Sequence, residues 1–423
     1  MRKTILMLGM LAALSSPAVM AEEGESSSSR GERSLAMRET TLKQLNKARE
    51  LSEQDNHAEA ISVLTRIADD RRANGYEKAQ AYYMLAFCHY QQGDNARAIA
   101  AYEQVLTQDG VPDSLRTSTQ YAIAQMYMAT EKWGKAVAVL EDWFKATDEP
   151  GANAYVLLGQ AYFQLKQYDK ARRPIERAIV NAKNSGEQVK ENWLLLLRSI
   201  YYEAGDFRNM MVTLKDLAGL YPKREYWLQL AAVYGELDDP KRQLAVLLAA
   251  YDQGYFERGQ DYVNLAQLLL GNDVPYRAAT VLQEGIDKKL VESSAQYLNL
   301  LADAYVRAKD YAAAIEVLRR AAQTTGDGES ELRLAQALME QNQWGEAAAA
   351  ARRAIEKGGL RRPDVANVVL GLALYEQNQL PAAAAAFSKA SEDERSRTVA
   401  EQWKQFIARE QERIRAIAAF GAG

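Results

Sequence analysis

The chain of 423 residues has a single cysteine, Cys88, and only two histidines, His57 and His89. One cysteine cannot form an internal disulfide, so the fold must rest on its own core. A tetrahedral zinc site takes three or four protein ligands, and beyond Cys88, His89 and His57, the last about one repeat away, no cysteine or histidine exists to complete one. No metal and no cofactor is expected. No window approaches twenty uninterrupted apolar residues, which argues against a membrane span in the mature chain. An excess of positive charge is also missing: the formal net charge is −4, which argues against nucleic acid as a partner. The phosphate-cradling P-loop, the G-x-S-x-G elbow, H-E-x-x-H and the dinucleotide glycine pattern are all absent. Neighbouring carboxylates such as Asp69-Asp70 and Asp238-Asp239 fall in turns or at helix ends, where they read as solvated surface charge. The expectation is therefore a protein that is not an enzyme. A secreted enzyme with a non-local carboxylate pair stays open as an alternative, because such a pair leaves no local signature.

What is present begins with "MRKTILMLGMLAALSSPAVMA". Arg2 and Lys3 form a charged start, Ile5 to Leu14 an apolar core, and Val19-Met20-Ala21 a small-residue cleavage site. This reads as a secretory signal peptide over 1–21, cleaved after Ala21, and implies the periplasm. Residues 22–35, including "EEGESSSSRGERS", hold too little apolar surface to fold and read as a disordered polar leader.

From Ala36 onward there is almost no strand signal, and helical periodicity recurs with internal self-similarity. In "YVLLGQAYFQLKQYDKARRPIERAI", Tyr155, Leu158, Gly159 and Tyr162 share one face of a first helix. Tyr168, Ala171, Ile175 and Ala178 share one face of a second. With Ala171 as marker, the equivalents are Ala60, Ala98, Ala136, Met210, Gln243, Ala278, Ala314, Ala347 and Ala383, spaced 33 to 39 residues apart. These are ten helix–turn–helix units. A small residue in the marker column lets the two helices of a unit approach, and large ones fill the gap to the next unit. The large–Leu–small–Tyr first helix and Ala-rich second helix resemble the tetratricopeptide repeat (TPR) family over nearly the whole mature chain. That resemblance implies an all-α TPR solenoid, a right-handed superhelix of about ten repeats over 36–394. Met210 and Gln243 depart from the small column.

Gly93-Asp94 and Gly205-Asp206 predict breaks between helices, and Pro240, Pro275 and Pro381 fall where second helices begin. Pro174 lies inside a second helix and predicts a local kink. Residues 395–423 read as an amphipathic capping helix and tail, with Trp403, Phe406 and Ile407 on its apolar face.

The repeat decides how the Cys88-His89 pair is read. Cys88 shares a column with Met126, Ala161, Ile200 and Val233, all apolar. His89 shares one with Tyr127, Tyr162, Tyr201, Tyr234 and Tyr305, an aromatic packing position. Both are expected to be structural. In TPR-like arrays the first helices line an inner groove. A stripe about a third of a turn from the packing face, at about 100° per residue, is the candidate partner-binding surface. It comprises Tyr83, Phe87 and Tyr90; then Tyr121, Gln125 and Met128; then Gln160 and Phe163; then Ser199 and Tyr202. Farther along it continues as Gln260, Val263 and Gln267, and as Asn299 and Asp303. Aromatic rings and amides with few charges suit an extended, proline-containing peptide. The alternative is that neighbouring repeats cover part of the stripe, which is then core.

Longer blocks, "LYPKREYWLQLAAVYGELDD" and "YVNLAQLLLGNDVPYRAATVL" among them, resemble secreted TPR proteins associated with TonB–ExbB–ExbD systems. That resemblance implies a periplasmic accessory of energised iron-siderophore uptake. Its partner would be a proline-rich TonB-type segment or another transducer component. An envelope scaffold for cell-wall synthesis or outer-membrane assembly would use the same fold and compartment. Exposed solenoid faces also leave homo-oligomers open.

Overall fold

The computed structural model describes residues 36–324 and 326–421. The expected signal peptide and polar leader lie outside the described residues. Among the described residues all regular structure is α-helical, with twenty-one helices and no strand. Twenty of them form ten antiparallel pairs, which fall into two compact units divided after Tyr221.

The first unit holds five pairs: α1 (Glu39–Glu53) with α2 (His57–Asp69), α3 (Gly75–Gln91) with α4 (Asn95–Thr107), and α5 (Asp113–Ala129) with α6 (Trp133–Lys145). The remaining two are α7 (Ala152–Gln164) with α8 (Tyr168–Ser185), and α9 (Glu191–Glu203) with α10 (Phe207–Leu220). The second unit holds α11 (Arg224–Glu236) with α12 (Pro240–Asp252), α13 (Gly259–Gly271) with α14 (Pro275–Asp287), and α15 (Ala295–Arg307) with α16 (Tyr311–Thr324). It ends with α17 (Glu329–Glu340) and α18 (Trp344–Lys357), α19 (Pro363–Glu376) and α20 (Leu380–Ala390), and a long α21 (Glu394–Gly421).

Each pair closes at its marker residue. Ala60, Ala98, Ala136, Ala171, Ala278, Ala314, Ala347 and Ala383 are all 0% exposed. The larger Met210 is also buried, while Gln243 is only half-buried. The partner of the small column is visible at Gly159, the small residue of α7. A Cβ there would come within 2.4 Å of Ile175 Cδ1 and 3.1 Å of the Ala171 carbonyl oxygen. The two backbones meet because neither side supplies bulk.

The turns follow one rule that only partly shows in the sequence. Five residues before each marker the backbone is left-handed. Glycine fills that place at Gly93 (φ 81°) and Gly205 (φ 68°). The other eight places hold Asp55, Glu131, Lys166, Asp238, Asp273, Lys309, Asn342 and Asn378, with φ between 54° and 60°. The next residue's N–H then donates back across the turn, as Gln167 does to the Tyr162 carbonyl at 2.9 Å and Asp94 to that of His89 at 2.9 Å. This bond satisfies a carbonyl that the end of the first helix would leave orphaned. A side chain at positive φ costs about 1 kcal/mol, so the turn is held by the packed pair rather than by residue preference alone. At Asp94 and Asp206 the side chain also caps the following helix, accepting from the Arg97 N–H at 3.0 Å and the Asn209 N–H at 3.1 Å.

Pro240 and Pro275 open their helices at the first position, and Pro381 follows one residue into α20. Pro174 lies in the interior of α8, which runs from Tyr168 to Ser185 without a break in its helical assignment.

α21 closes the second unit. Ala400 and Ile407 are fully buried, and Trp403 stacks nearly parallel on Phe387, with centroids 5.6 Å apart. Phe406 lies edge-on to Tyr375 but stays exposed over nearly half its surface. The buried Asp364 of α19 pins the start of α21 through Ser396, whose Oγ donates to its carboxylate at 2.6 Å. The hydrogen-bonded Arg362 guanidinium holds the Asp364 carboxyl well below the usual carboxylate range.

Gly159→Ala should destabilise the first unit by about 1–3 kcal/mol, because its Cβ drives into Ile175. Adding Ile175→Val should recover part of that loss. Urea midpoints of the two variants and the parent check this, and an unchanged midpoint for Gly159→Ala would refute the close approach.

Candidate functional site

The Cys-His pair is structural. Cys88 is fully buried, its Sγ 3.7 Å from Ser52 Oγ, and burial pushes its thiol pKa up. A thiol so placed is poorly ionised and inaccessible, the opposite of an activated nucleophile. Burial pushes His89 down, favouring neutral imidazole. Its Nδ1 is buried with no hydrogen-bond partner among the described residues. Among those residues, no group of three or more His, Cys, Asp or Glu could hold a metal ion.

The tyrosines sharing the His89 column explain that orphan nitrogen. Tyr127 donates its hydroxyl to Glu103 at 2.8 Å, Tyr162 to Glu141, and Tyr201 to Glu176 at 2.5 Å. Each bond runs from the end of a first helix to the second helix of the preceding pair. Each glutamate stands five residues after its marker, at Ala98, Ala136 and Ala171. Lys135 and Lys170 lie over the rings of Tyr127 and Tyr162, at 5.6 and 5.7 Å from the centroids. In the first junction the glutamate position holds Thr65, and the tyrosine position holds His89. The bond is lost there on both sides at once.

The candidate stripe is only partly open. Tyr83 is half-buried, its ring edge-on to Tyr102 at 5.3 Å. Tyr121 is half-buried beside Trp143, with centroids 5.2 Å apart. Phe87, Tyr90 and Gln125 are half-buried as well. Met128, at 8% exposure, belongs to the core of the first unit and presents nothing to a partner. Phe163 leans on Tyr168 at 5.7 Å, while Gln160 is exposed. Ser199 donates to the Leu195 carbonyl of its own helix at 2.9 Å, and Tyr202 is 59% exposed. In the second unit Val263 is buried. Asn299 donates to Ser330 Oγ at 2.9 Å, and Asp303 pairs with Arg333 at 2.6 Å. Gln260 and Gln267 remain exposed.

Gln267 belongs to a cleft of about 590 Å³ formed by α11, α12 and α13. Leu228, Ala231, Leu247 and Leu268 supply its apolar surface, and Gln243, Asn264, Gln267 and Asn272 supply amides. Its one carboxylate, Asp261, is tied to Arg224 Nη2 at 2.7 Å. The cleft is therefore polar without a free charge. Gln243 is the residue that breaks the small column. Its amide lies 3.0 Å from where a Gly235 Cβ would stand, so the glutamine uses space that a glycine leaves free. The departure from the repeat pattern was the sequence signal for this cleft.

The chain belongs to the tetratricopeptide repeat family: its model matches residues 45–113, 121–187, 263–329 and 332–396, more than half of the sequence. Proteins of this family are generally non-enzymatic scaffolds that bind protein or peptide partners. Comparison with curated proteins finds no match. Among solved structures, the chain is similar to YrrB, described as a TPR protein with an unusual peptide-binding site. The two are 18% identical, with 41% of this chain and 85% of YrrB covered and a TM-score of 0.34. A tetratricopeptide repeat protein from Parabacteroides merdae is 15% identical, with 62% and 98% covered and a TM-score of 0.38. MamA is 20% identical, with 41% and 90% covered and a TM-score of 0.35. Among the described residues no helix is long and apolar enough to cross a membrane.

The tyrosine–glutamate bonds set an alkaline limit on stability. Burial, reinforced by the adjacent carboxylate, pushes Tyr127 and Tyr162 up to about 12 from the ordinary 10.0. The folded state thus favours the protonated phenol, so this stability is intact below pH 10 and is lost as pH rises towards 12. Tyr162→Phe should cost about 1–2 kcal/mol at pH 8 and should flatten the fall in stability between pH 10 and 12. Urea midpoints at pH 8 and pH 11 test both. A midpoint that Tyr162→Phe leaves unmoved at pH 8 contradicts the assignment.

Proposed function

We propose that this chain is a periplasmic adaptor that holds an extended, uncharged peptide segment of a partner protein. The partner is a component of a TonB–ExbB–ExbD transducing complex, and the role is accessory to energised iron-siderophore uptake. The observation that carries the binding reading is the cleft of α11–α13, with leucines on its surface and Gln243, Asn264 and Gln267 around them. Carboxamides both donate and accept, so they pair with an extended backbone whatever its side chains. Asp261 is already neutralised by Arg224, so a basic segment gains nothing there, and a proline-rich stretch loses little entropy on docking. The compartment and pathway rest on the signal-like N-terminus and on the resemblance of the inter-repeat blocks. Tyr202 and Gln160 offer further uncharged contacts on first helices of the other unit.

A photo-crosslinking residue at Gln267 in living cells should capture an inner-membrane transducer component, and the same residue at buried Met128 should capture nothing. Capture of cell-wall synthesis enzymes alone would overturn the pathway. In vitro, Gln243→Ala with Gln267→Ala should weaken a proline-rich transducer peptide about tenfold or more, since two hydrogen bonds of about 1 kcal/mol each are lost. Unchanged affinity would remove the cleft from the mechanism.

A further inference from the structure

Pro174, which the repeat does not explain, lies in the wall of a second cleft. This cleft, of about 580 Å³, belongs wholly to the first unit and opens between the second helices α6 and α8 above α7. Phe144, Leu158 and Pro174 form its apolar floor, and Lys145, Lys170 and Arg173 stand at its rim. Proline has no N–H to give the Lys170 carbonyl, so one helical acceptor in this wall loses its α-helical donor. We propose that this cleft binds an acidic peptide segment of a partner protein, with a carboxylate at Arg173 and Lys170 and a neighbouring apolar side chain on Phe144 and Pro174.

Charge complementarity carries the assignment. The chain as a whole is negative, yet α8 carries Lys170, Arg172, Arg173, Arg177 and Lys183 against only Asp169 and Glu176. α7, beneath the cleft, carries no charged residue at all. The one carboxylate in the wall, Glu141, already accepts the Tyr162 hydroxyl. Lys145 is engaged by Asp142 at 2.8 Å, Lys170 lies over the Tyr162 ring, and Arg172 faces Glu176 at 3.9 Å. Arg173 is exposed, and no ion pair is described for it or for exposed Arg177. A planar guanidinium beside an apolar floor is the donor best suited to a carboxylate next to a hydrophobic side chain. This site is distinct from the amide cleft and does not depend on the reading given to it.

The test is fluorescence anisotropy with the full mature chain and a labelled peptide that alternates glutamate with leucine and phenylalanine. A glutamine-for-glutamate version serves as comparison. The acidic peptide should bind saturably and weaken as salt rises, and the glutamine version should not bind. Arg173→Glu should weaken binding about tenfold or more. Arg208→Glu, the same charge change on α10 outside the cleft, should alter it less than about twofold. Far-ultraviolet circular dichroism of both variants should match the parent, since both side chains are exposed. Equal weakening by the two variants, equal binding of the two peptides, or no saturable binding would overturn the proposal. So would attachment only to phosphatidylglycerol vesicles, the outcome expected of a merely basic surface.

Discussion

The close approach of two helices at one small residue is the constraint on which the rest of this structure depends. An alanine with no exposed surface recurs at eight of ten markers. Once the pair is closed there, the left-handed turn five residues earlier has little alternative, whichever residue occupies it. The closed pair also fixes where the last turn of each first helix ends. That places Tyr127, Tyr162 and Tyr201 within hydrogen-bonding reach of the preceding pair's glutamates. Where the facing positions hold tyrosine and glutamate, packing inside a pair thus helps to set the polar contact between pairs.

Two clefts lie beside residues that break this pattern. Gln243 stands in the alanine column, opposite Gly235, and an amide-walled cleft opens beside it. Pro174 removes one backbone donor from the otherwise continuous α8, and a cation-rimmed cleft lies beside it. The His89 and Thr65 junction breaks the pattern differently: it loses a bond, and among the described residues the buried His89 Nδ1 has no partner. Departures from a repeat thus differ in kind.

The repeat was legible in the sequence because each structural position can be read ten times. A column such as Cys88, Met126, Ala161 and Ile200 identifies a core site better than any single residue does, and the same logic made His89 a packing position. The turns were half legible. Glycine announced two of them, while Lys166 and Glu131 adopt the same backbone under the control of packing that no local preference reports. The stripe was least legible. Rotation by about 100° per residue fixes which side chains share a face of one helix but not what the neighbouring helices place over that face. Met128 and Val263 were covered in this way and joined the core, while Tyr202 and Gln267 stayed open. Gln243 was visible as an exception, yet only the space beside it gives the exception a meaning.

The two clefts obey different physics, and this matters for an adaptor. In the α11–α13 cleft the only carboxylate is already paired, so a partner there would be held by amide hydrogen bonds and apolar contact, which salt barely changes. A partner at the α6–α8 cleft would be held by exposed guanidinium and ammonium groups, whose reach falls within a Debye length of about 8 Å at physiological ionic strength. An acidic segment would therefore gain charge pairing only at the α6–α8 cleft, while the amides of the α11–α13 cleft would meet a neutral and an acidic backbone alike. A difference of this kind would let repeats of one fold offer partners unlike surfaces without any repeat changing its fold. It would rest on a few side chains set into helix pairs that turn through the same left-handed backbone position.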